Sequence, residues 1–132
     1  MSKTRIDHIG IIVADLDAAI ARVEPLFGAP KMVKEMAEHG LRVAEFDTEN
    51  VTVELLQYTG EKDEFARGVM GESPGLNHIS AAVPDLDQSI DALSGAGFRV
   101  MQGFPTQGAH GQVAFFEPDD TTGLLFEVCQ PD

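Results

Sequence analysis

A fifteen-residue stretch near the start of the chain returns 70 residues later. Residues 6–20 read IDHIGIIVADLDAAI and residues 76–90 read LNHISAAVPDLDQSI, with seven identities at one constant offset. VAEF at 43–46 returns as VAFF at 113–116 with the same offset. An internal repeat predicts two copies of one structural module, which bury a core together when each is too short to do so alone.

Each copy predicts the same order of elements, strand–helix–strand–strand–strand. The first strand is rich in Ile and Val, and an aspartate, Asp15 or Asp85, then stands where a helix N-cap is expected. Apolar residues at helical spacing follow, and the helices are expected to end near residues 28 and 95. The remaining predicted strands are 30–37, 40–47 and 51–58 in the first copy, and 98–103, 112–117 and 123–130 in the second.

The 132 residues therefore predict a single domain made of two similar modules. The first module covers about residues 5–58 and the second about residues 76–130. The connection, 59–75, is polar, with a short helix predicted near 62–69, and it is long enough to cover a substrate. The mixture of helices and strands in each module predicts an α+β fold.

The formal net charge of −13, with nine dispersed Lys and Arg residues, argues against nucleic acid as a partner. No apolar run reaches the roughly 18 residues that a bilayer-spanning helix needs. The first residues lack the apolar stretch of a secretory signal. Cys129 is the only cysteine, so the sequence offers no intramolecular disulfide. These features predict a cytoplasmic protein without a membrane partner.

Each copy carries one histidine in its first strand and one glutamate in its last strand. His8 is followed by Glu54 after 46 residues, and His78 by Glu127 after 49. A lone strand histidine is more often a hydrogen-bonded core residue, but an unpaired buried carboxylate is costly. Two imidazoles and two carboxylates suit a divalent Co, Zn, Ni, Mn or Fe ion. The matched pairs therefore predict a His₂Glu₂ metal site.

These residues resemble the vicinal oxygen chelate superfamily, which includes glyoxalase I, extradiol dioxygenases and bleomycin-resistance proteins. The stretches EHGLRVAEF at 38–46, VTVELLQ at 51–57 and PTQGAHGQVAFFEPDDTTGLLFEV at 105–128 look most like the methylmalonyl-CoA epimerases. The resemblance implies paired βαβββ modules whose mixed sheet forms a cup around a metal. It places His8, Glu54, His78 and Glu127 on the ligand positions.

The resemblance implies a metal-dependent isomerase that removes the proton α to the thioester carbonyl of an acyl-CoA. Glu127 and Glu54 are expected as ligands, and one of them can detach to act as a base. Some epimerases carry a further acid/base glutamate on the third strand, at the position held here by Val43. Glu45, two residues along on the same face of that strand, is the candidate for that role.

Two residues are candidates for contacting the substrate. His110 lies in the GAHG segment, which is expected to form a loop near the site, and Arg42 is one of few cations available to hold a carboxylate or phosphate.

Other activities within the same superfamily stay open. A glyoxalase-I-like lactoylglutathione lyase has the same His-Glu-His-Glu ligand set and acts on a glutathione adduct. A non-catalytic, resistance-type binding protein has no need of four ligands. Extradiol dioxygenases use two histidines and one carboxylate on iron, which leaves Glu54 unexplained. Superfamily members are often dimers, so a homodimer is expected, and His8 and Glu127 can then come from different chains.

Overall fold

The computed structural model describes residues 3–60 and 64–132. The chain divides into two compact units, and each holds one copy of the repeat. The first unit is His8–Asn77, and the second is His78–Asp132 together with the N-terminal residues up to Asp7.

The first unit contains a mixed sheet with the strand order β2-β3-β4-β1. β1 runs parallel to β4, whereas the β2–β3 and β3–β4 pairs are antiparallel. Its elements are β1 (Arg5–Ile12, from His8 onward in this unit), α1 (Leu16–Phe27), β2 (Met32–Met36), β3 (Leu41–Asp47), β4 (Thr52–Tyr58) and α2 (Glu64–Met70).

The second unit repeats this architecture with the strand order β5-β8-β7-β6. β5 runs parallel to β8, and the β7–β8 and β6–β7 pairs are antiparallel. Its elements are β5 (Gly75–Ala82, from His78 onward in this unit), α3 (Leu86–Gly95), β6 (Thr106–Gln107), β7 (Gly111–Phe115) and β8 (Phe126–Pro131).

The predicted N-caps of both repeat helices are confirmed. Asp15 Oδ1 accepts a hydrogen bond from Ala18 N at 3.0 Å, and Asp85 Oδ1 accepts one from Gln88 N at 3.1 Å. Each aspartate has the extended backbone of an N-cap and satisfies an amide that the helix leaves without an internal partner.

A second contact at each helix start also repeats. The Gln57 side-chain oxygen accepts a hydrogen bond from Leu16 N at 2.6 Å, and that of Gln130 accepts one from Leu86 N at 2.8 Å. Each glutamine comes from the last strand of its own unit, so the contact fixes the helix against the sheet.

Each repeat helix covers one face of its own sheet. In the first unit α1 packs through Leu16, Ile20, Val23 and Phe27 against Ala44, Phe46, Val53 and Leu55. In the second unit α3 packs through Leu86, Ile90 and Leu93 against Ala114, Phe116 and Val128. Because strand side chains alternate between faces, the residues between these core positions turn away from the helix.

The strand predicted at 98–103 is wrong. Within this segment Val100 forms an isolated bridge with Phe116. A turn then follows, closed by the Phe104 N–H bond to Met101 O, and Gly103 takes a positive φ of 94° there. The extended run is therefore too short to form a strand, and Thr106–Gln107 pairs with β7 instead.

Two other boundaries differ from the sequence-based expectation. The strand expected at 123–130 begins at Phe126, because residues 118–121 form a 3-10 helix and Gly123 N–H returns to Pro118 O. The helix expected near 62–69 is seen as Glu64–Met70, and residues 62–63 of that prediction lie outside the described residues.

Among residues 3–60 and 64–132, no helix has both the length and the apolar character required to cross a membrane.

Replacing Gln57 by Leu should destabilise the protein by about 1–2 kcal/mol, because it leaves the Leu16 amide without its side-chain acceptor. The free energy of unfolding is measured by urea denaturation. Gln88→Leu, at an exposed position of α3, is the matched control and should change little. Equal denaturation midpoints for the two variants would contradict a structural role for Gln57.

Candidate active site

The first unit buries three functional candidates on the face of its sheet that points away from α1. Ala44, Phe46, Val53 and Leu55 pack on the helix, so alternation places Glu45 and Glu54 on the other face. Glu45 is 3% exposed, and Glu54 and His8 are each 4% exposed. Burial at this level is unusual for carboxylates and points to a functional role.

The three side chains lie close together. His8 Nε2 is 3.8 Å from Glu54 Oε1. This distance is too long for a hydrogen bond but allows both atoms to bind one further group between them. Glu45 stands directly opposite Glu54 in the antiparallel β3–β4 pair, and the two residues have carboxylate oxygens within 4.8 Å of each other. The unit thus concentrates one imidazole and two carboxylates in a buried patch.

The second unit holds the corresponding pair. His78 is 4% exposed and Glu127 5% exposed, and a His78 ring nitrogen lies within 4.8 Å of a Glu127 carboxylate oxygen. The rings of Phe115 and His78 meet in a T-shaped arrangement, with centroids 5.0 Å apart. Phe115 is opposite Glu127 in the β7–β8 register, so it takes the place that Glu45 takes beside Glu54.

Ser80 was missed in the sequence. It lies two residues after His78 and beside Glu127 in the parallel β5–β8 register, and it is fully buried. Its hydroxyl makes no hydrogen bond with any residue in the described part of the chain. The sequence feature that could have revealed it is a serine in an apolar strand, two residues from His78 and therefore on the same face as that candidate ligand. The first copy has Gly10 at the matching position, opposite Glu54.

His110 is bonded to an aspartate of the same unit. Its Nδ1 lies 3.1 Å from Asp7 Oδ2, and Asp7 is only 7% exposed. Sequence reasoning singled out His110 but not Asp7, because 103 residues separate the two.

Arg42 lies elsewhere in the first unit. Along β3 it lies two and four positions from Ala44 and Phe46, so side-chain alternation places it on the α1 face. Its guanidinium pairs with Asp17 Oδ1 of that helix at 3.2 Å. The structure therefore does not bring Arg42 together with Glu45 and Glu54, and its contact with substrate stays a prediction.

The second unit also contains a cavity of about 450 Å³ on its helix side. Apolar side chains of β5, β8 and α3 form most of its wall, among them Ile79, Val128 and Leu93. Ile79 and Val128 alternate with His78 and Glu127 along their strands, so the cavity and His78 lie on opposite sides of the sheet, and Glu127 also contributes to the cavity wall.

The donor types in the two pairs fit a divalent metal ion. Each unit brings an imidazole nitrogen and a carboxylate oxygen together in a buried place, and buried carboxylates need a compensating positive charge. Nitrogen and oxygen donors together suit Mn, Fe, Co, Ni or Zn, whereas Mg and Ca favour oxygen alone. The metal itself stays a prediction.

Comparison with known proteins identifies the family of the chain. The model of the Glyoxalase/Bleomycin resistance protein/Dioxygenase superfamily matches residues 7–116. An ethylmalonyl-CoA/methylmalonyl-CoA epimerase of Cereibacter sphaeroides is 37% identical over 131 residues, spanning 96% of this chain and 97% of the relative. The resemblance inferred from the repeat and from the GAHG segment is therefore confirmed.

Solved structures match nearly the whole chain. Methylmalonyl-CoA epimerase from Mycobacterium tuberculosis has a TM-score of 0.85 at 26% identity, covering 100% of this chain and 93% of that one. A variant of the Streptomyces coelicolor methylmalonyl-CoA epimerase, in complex with 2-nitronate-propionyl-CoA, has a TM-score of 0.82 at 30% identity, covering 98% and 99%. The predicted α+β fold is confirmed by these likenesses.

Replacing Ser80 by Ala should keep or raise stability, by up to about 1 kcal/mol, because a buried hydroxyl without a partner costs free energy. Thermal unfolding of the metal-stripped protein measures the effect. Ser94→Ala, at an exposed position near the end of α3, is the control for a general serine-to-alanine effect. A clear loss of stability in Ser80→Ala alone would show that the hydroxyl is satisfied in the folded protein.

Proposed function

Because the chain belongs to the Glyoxalase/Bleomycin resistance protein/Dioxygenase superfamily, we propose that it is a metal-dependent epimerase acting on methylmalonyl-CoA. The observation that carries the proposal is the buried histidine–glutamate pair in each unit, His8 with Glu54 and His78 with Glu127. The full-length similarity to an ethylmalonyl-CoA/methylmalonyl-CoA epimerase supports the substrate class.

In this proposal His8, Glu54, His78 and Glu127 hold one divalent ion. The ligand set rests on the internal repeat, which gives each unit the same donors, on the face of its own sheet that points away from its helix. When bound, such an ion supplies Lewis-acid stabilisation of negative charge that develops on a carbonyl oxygen.

The chain's own carboxylates carry out the proton transfer. The α-carbon of methylmalonyl-CoA bears one hydrogen between two carbonyl groups, and its removal needs a base within hydrogen-bond reach. We assign this base to a carboxylate oxygen of Glu45, which is buried beside Glu54 but lies outside the ligand set. Inversion requires that a second group return a proton to the other side of the carbon, and we assign this step to Glu127.

Glu54 is the rival for the role of base, because its carboxylate lies next to that of Glu45. Burial of both side chains excludes bulk water from the base, which protects the reactive intermediate from unwanted proton exchange.

The substrate is anionic, whereas the protein is strongly acidic, so local cations and hydrogen-bond donors must hold the substrate. We assign His110 to the acyl end of the substrate and Arg42 to a more distant carboxylate or phosphate group. We further propose that the protein is cytoplasmic and forms a homodimer. Light scattering of the purified protein tests the dimer.

The glyoxalase-I-like alternative makes a different prediction. It requires turnover of methylglyoxal with glutathione and none of methylmalonyl-CoA, and the epimerase requires the reverse. A resistance-type binding protein turns over neither substrate. Assaying both substrates with the same metal-loaded preparation separates the three functions.

Elemental analysis of the purified protein should find a stoichiometric divalent transition metal ion. Glu54→Gln and His78→Ala should each lower the metal content and the melting temperature, because a ligand that binds only the folded state stabilises it. Glu24→Gln, exposed on α1, is the control for loss of a carboxylate. Full metal content in both ligand variants would exclude these residues as ligands.

Glu45→Gln should slow exchange of the α-proton of methylmalonyl-CoA with D₂O by about a hundredfold or more, as expected for loss of a general base. Proton NMR of the substrate measures this rate. Because Glu45 lies outside the ligand set, this variant should retain its metal, whereas Glu127→Gln should lose exchange and bind metal less tightly. Wild-type exchange in Glu45→Gln, with lost exchange in a Glu54→Gln variant that is fully loaded with metal, would transfer the role of base to Glu54.

A further inference from the structure

Ser80 lies beside a proposed metal ligand of the second unit. It stands opposite Glu127 in the parallel β5–β8 pair, and neighbouring strands of a sheet are only about 4.7–4.9 Å apart. His78, two residues earlier in β5, is buried on the same face, whereas Ala81 packs towards α3 on the other face. The Ser80 hydroxyl and the Glu127 carboxylate therefore lie side by side, on the face that points away from the helix.

A serine is a costly residue at this position. Ser80 is 0% exposed, and its oxygen makes no hydrogen bond with any residue among 3–60 and 64–132. A buried hydroxyl without a partner costs free energy, and an alanine of nearly the same size would avoid that cost. The serine is therefore expected to gain a partner in another state of the protein.

The two residues that flank Glu127 in the sheet differ in their chemistry. Phe115, opposite Glu127 in the antiparallel β7–β8 pair, has no polar atom in its side chain. Of these two neighbours, only Ser80 has a side chain that can donate a hydrogen bond to the carboxylate. A carboxylate has about four acceptor positions on its two oxygens, so it can bind a metal ion and also accept a bond from a neighbour.

The first copy of the repeat shows that the module does not require this hydroxyl in order to fold. Gly10 takes the position of Ser80 there and lies opposite Glu54 in the parallel β1–β4 pair. The same strand thus forms with no side chain at this position. The hydroxyl is a property of the second copy alone, where its neighbour is Glu127.

We propose that Ser80 is a positioning residue whose hydroxyl donates a hydrogen bond to the Glu127 carboxylate when a divalent metal ion is bound. The presence of that ion rests on the proposed function. The serine side chain turns among three staggered positions, so its hydroxyl can change partner without movement of the strand. Hydrogen bonds of this kind fix the orientation of metal-bound carboxylates, and losing one typically lowers metal affinity about tenfold to a hundredfold.

The first arm of the test measures metal affinity and needs no assay of activity. Ser80→Ala should bind Co²⁺ about tenfold less tightly than the wild type, because the Glu127 carboxylate loses its orienting bond. The visible absorption of bound Co²⁺ is followed in competition with a chelator of known affinity. Ser94→Ala, at an exposed position of α3, is the matched control and should bind Co²⁺ as tightly as the wild type.

The second arm separates a positioning role from a general structural one. Without metal, Ser80→Ala should unfold at the same temperature as the wild type or a higher one, because it removes a hydroxyl that has no partner. Added Co²⁺ should raise the melting temperature less in the variant. Tenfold weaker binding removes about 1.4 kcal/mol of metal-linked stabilisation when the ion is in excess.

A double-mutant cycle on Co²⁺ affinity identifies the partner of the hydroxyl. In the Glu127→Ala background, Ser80→Ala should cause no further loss of affinity, because the hydroxyl acts only through that carboxylate. In the Glu54→Gln background, which alters the ligand of the first unit, Ser80→Ala should still lower the affinity about tenfold.

Unchanged Co²⁺ affinity in Ser80→Ala would overturn the proposal, and so would an undiminished effect of this substitution in the Glu127→Ala background. A lower melting temperature of metal-free Ser80→Ala would also overturn it, because the hydroxyl would then have a partner without metal. A wild type that binds Co²⁺ but does not turn over methylmalonyl-CoA contradicts the proposed function alone, since the affinities still decide the role of Ser80. A wild type that binds no Co²⁺ overturns both.

Discussion

The chemistry of this protein depends on one packing constraint, which is that each repeat helix covers only one face of its sheet. The helix takes the aliphatic and aromatic side chains of that face, among them Phe46 in the first unit and Phe116 in the second. Strict alternation along a strand then turns Glu54 and Glu127 to the opposite face. The carboxylates are therefore kept away from the helix–sheet core, where an unpaired charge would be most costly.

Duplication gave the two units the same framework, but they differ in what lies beside the glutamate. On one neighbouring strand Glu45 faces Glu54, whereas Phe115 faces Glu127. On the other neighbouring strand Gly10 lies next to Glu54, and Ser80 next to Glu127. One unit has an additional carboxylate, and the other has an aromatic ring and a hydroxyl. The two copies of the duplicated module therefore place different chemical groups beside the same glutamate.

Local patterns account for the parts of the fold that the sequence predicts well. The N-caps at Asp15 and Asp85, and the strands that carry Glu54 and Glu127, depend on residues close to one another in the chain. The face of the sheet on which His8 and His78 lie also follows from the alternation of side chains along a strand. What one sequence could not predict depends on contacts between distant residues. Examples are the bond from Asp7 to His110 and the turn at Gly103 that cuts short an otherwise apolar run.

The spacing between corresponding residues of the two copies changes along the chain, and this change indicates how such a chain can evolve. The histidines are 70 residues apart, and the glutamates 73. The additional residues lie in the connection between β7 and β8, which includes a 3-10 helix, where the β3–β4 connection is a short turn closed by Thr48 and Val51. Three residues inserted within a strand would have turned every later side chain to the other face. The length of the turn can therefore differ between the two copies, while each strand residue keeps the face of the sheet to which it points. The β7–β8 connection is accordingly where the second copy gained length without turning Glu127 to the other face of its sheet.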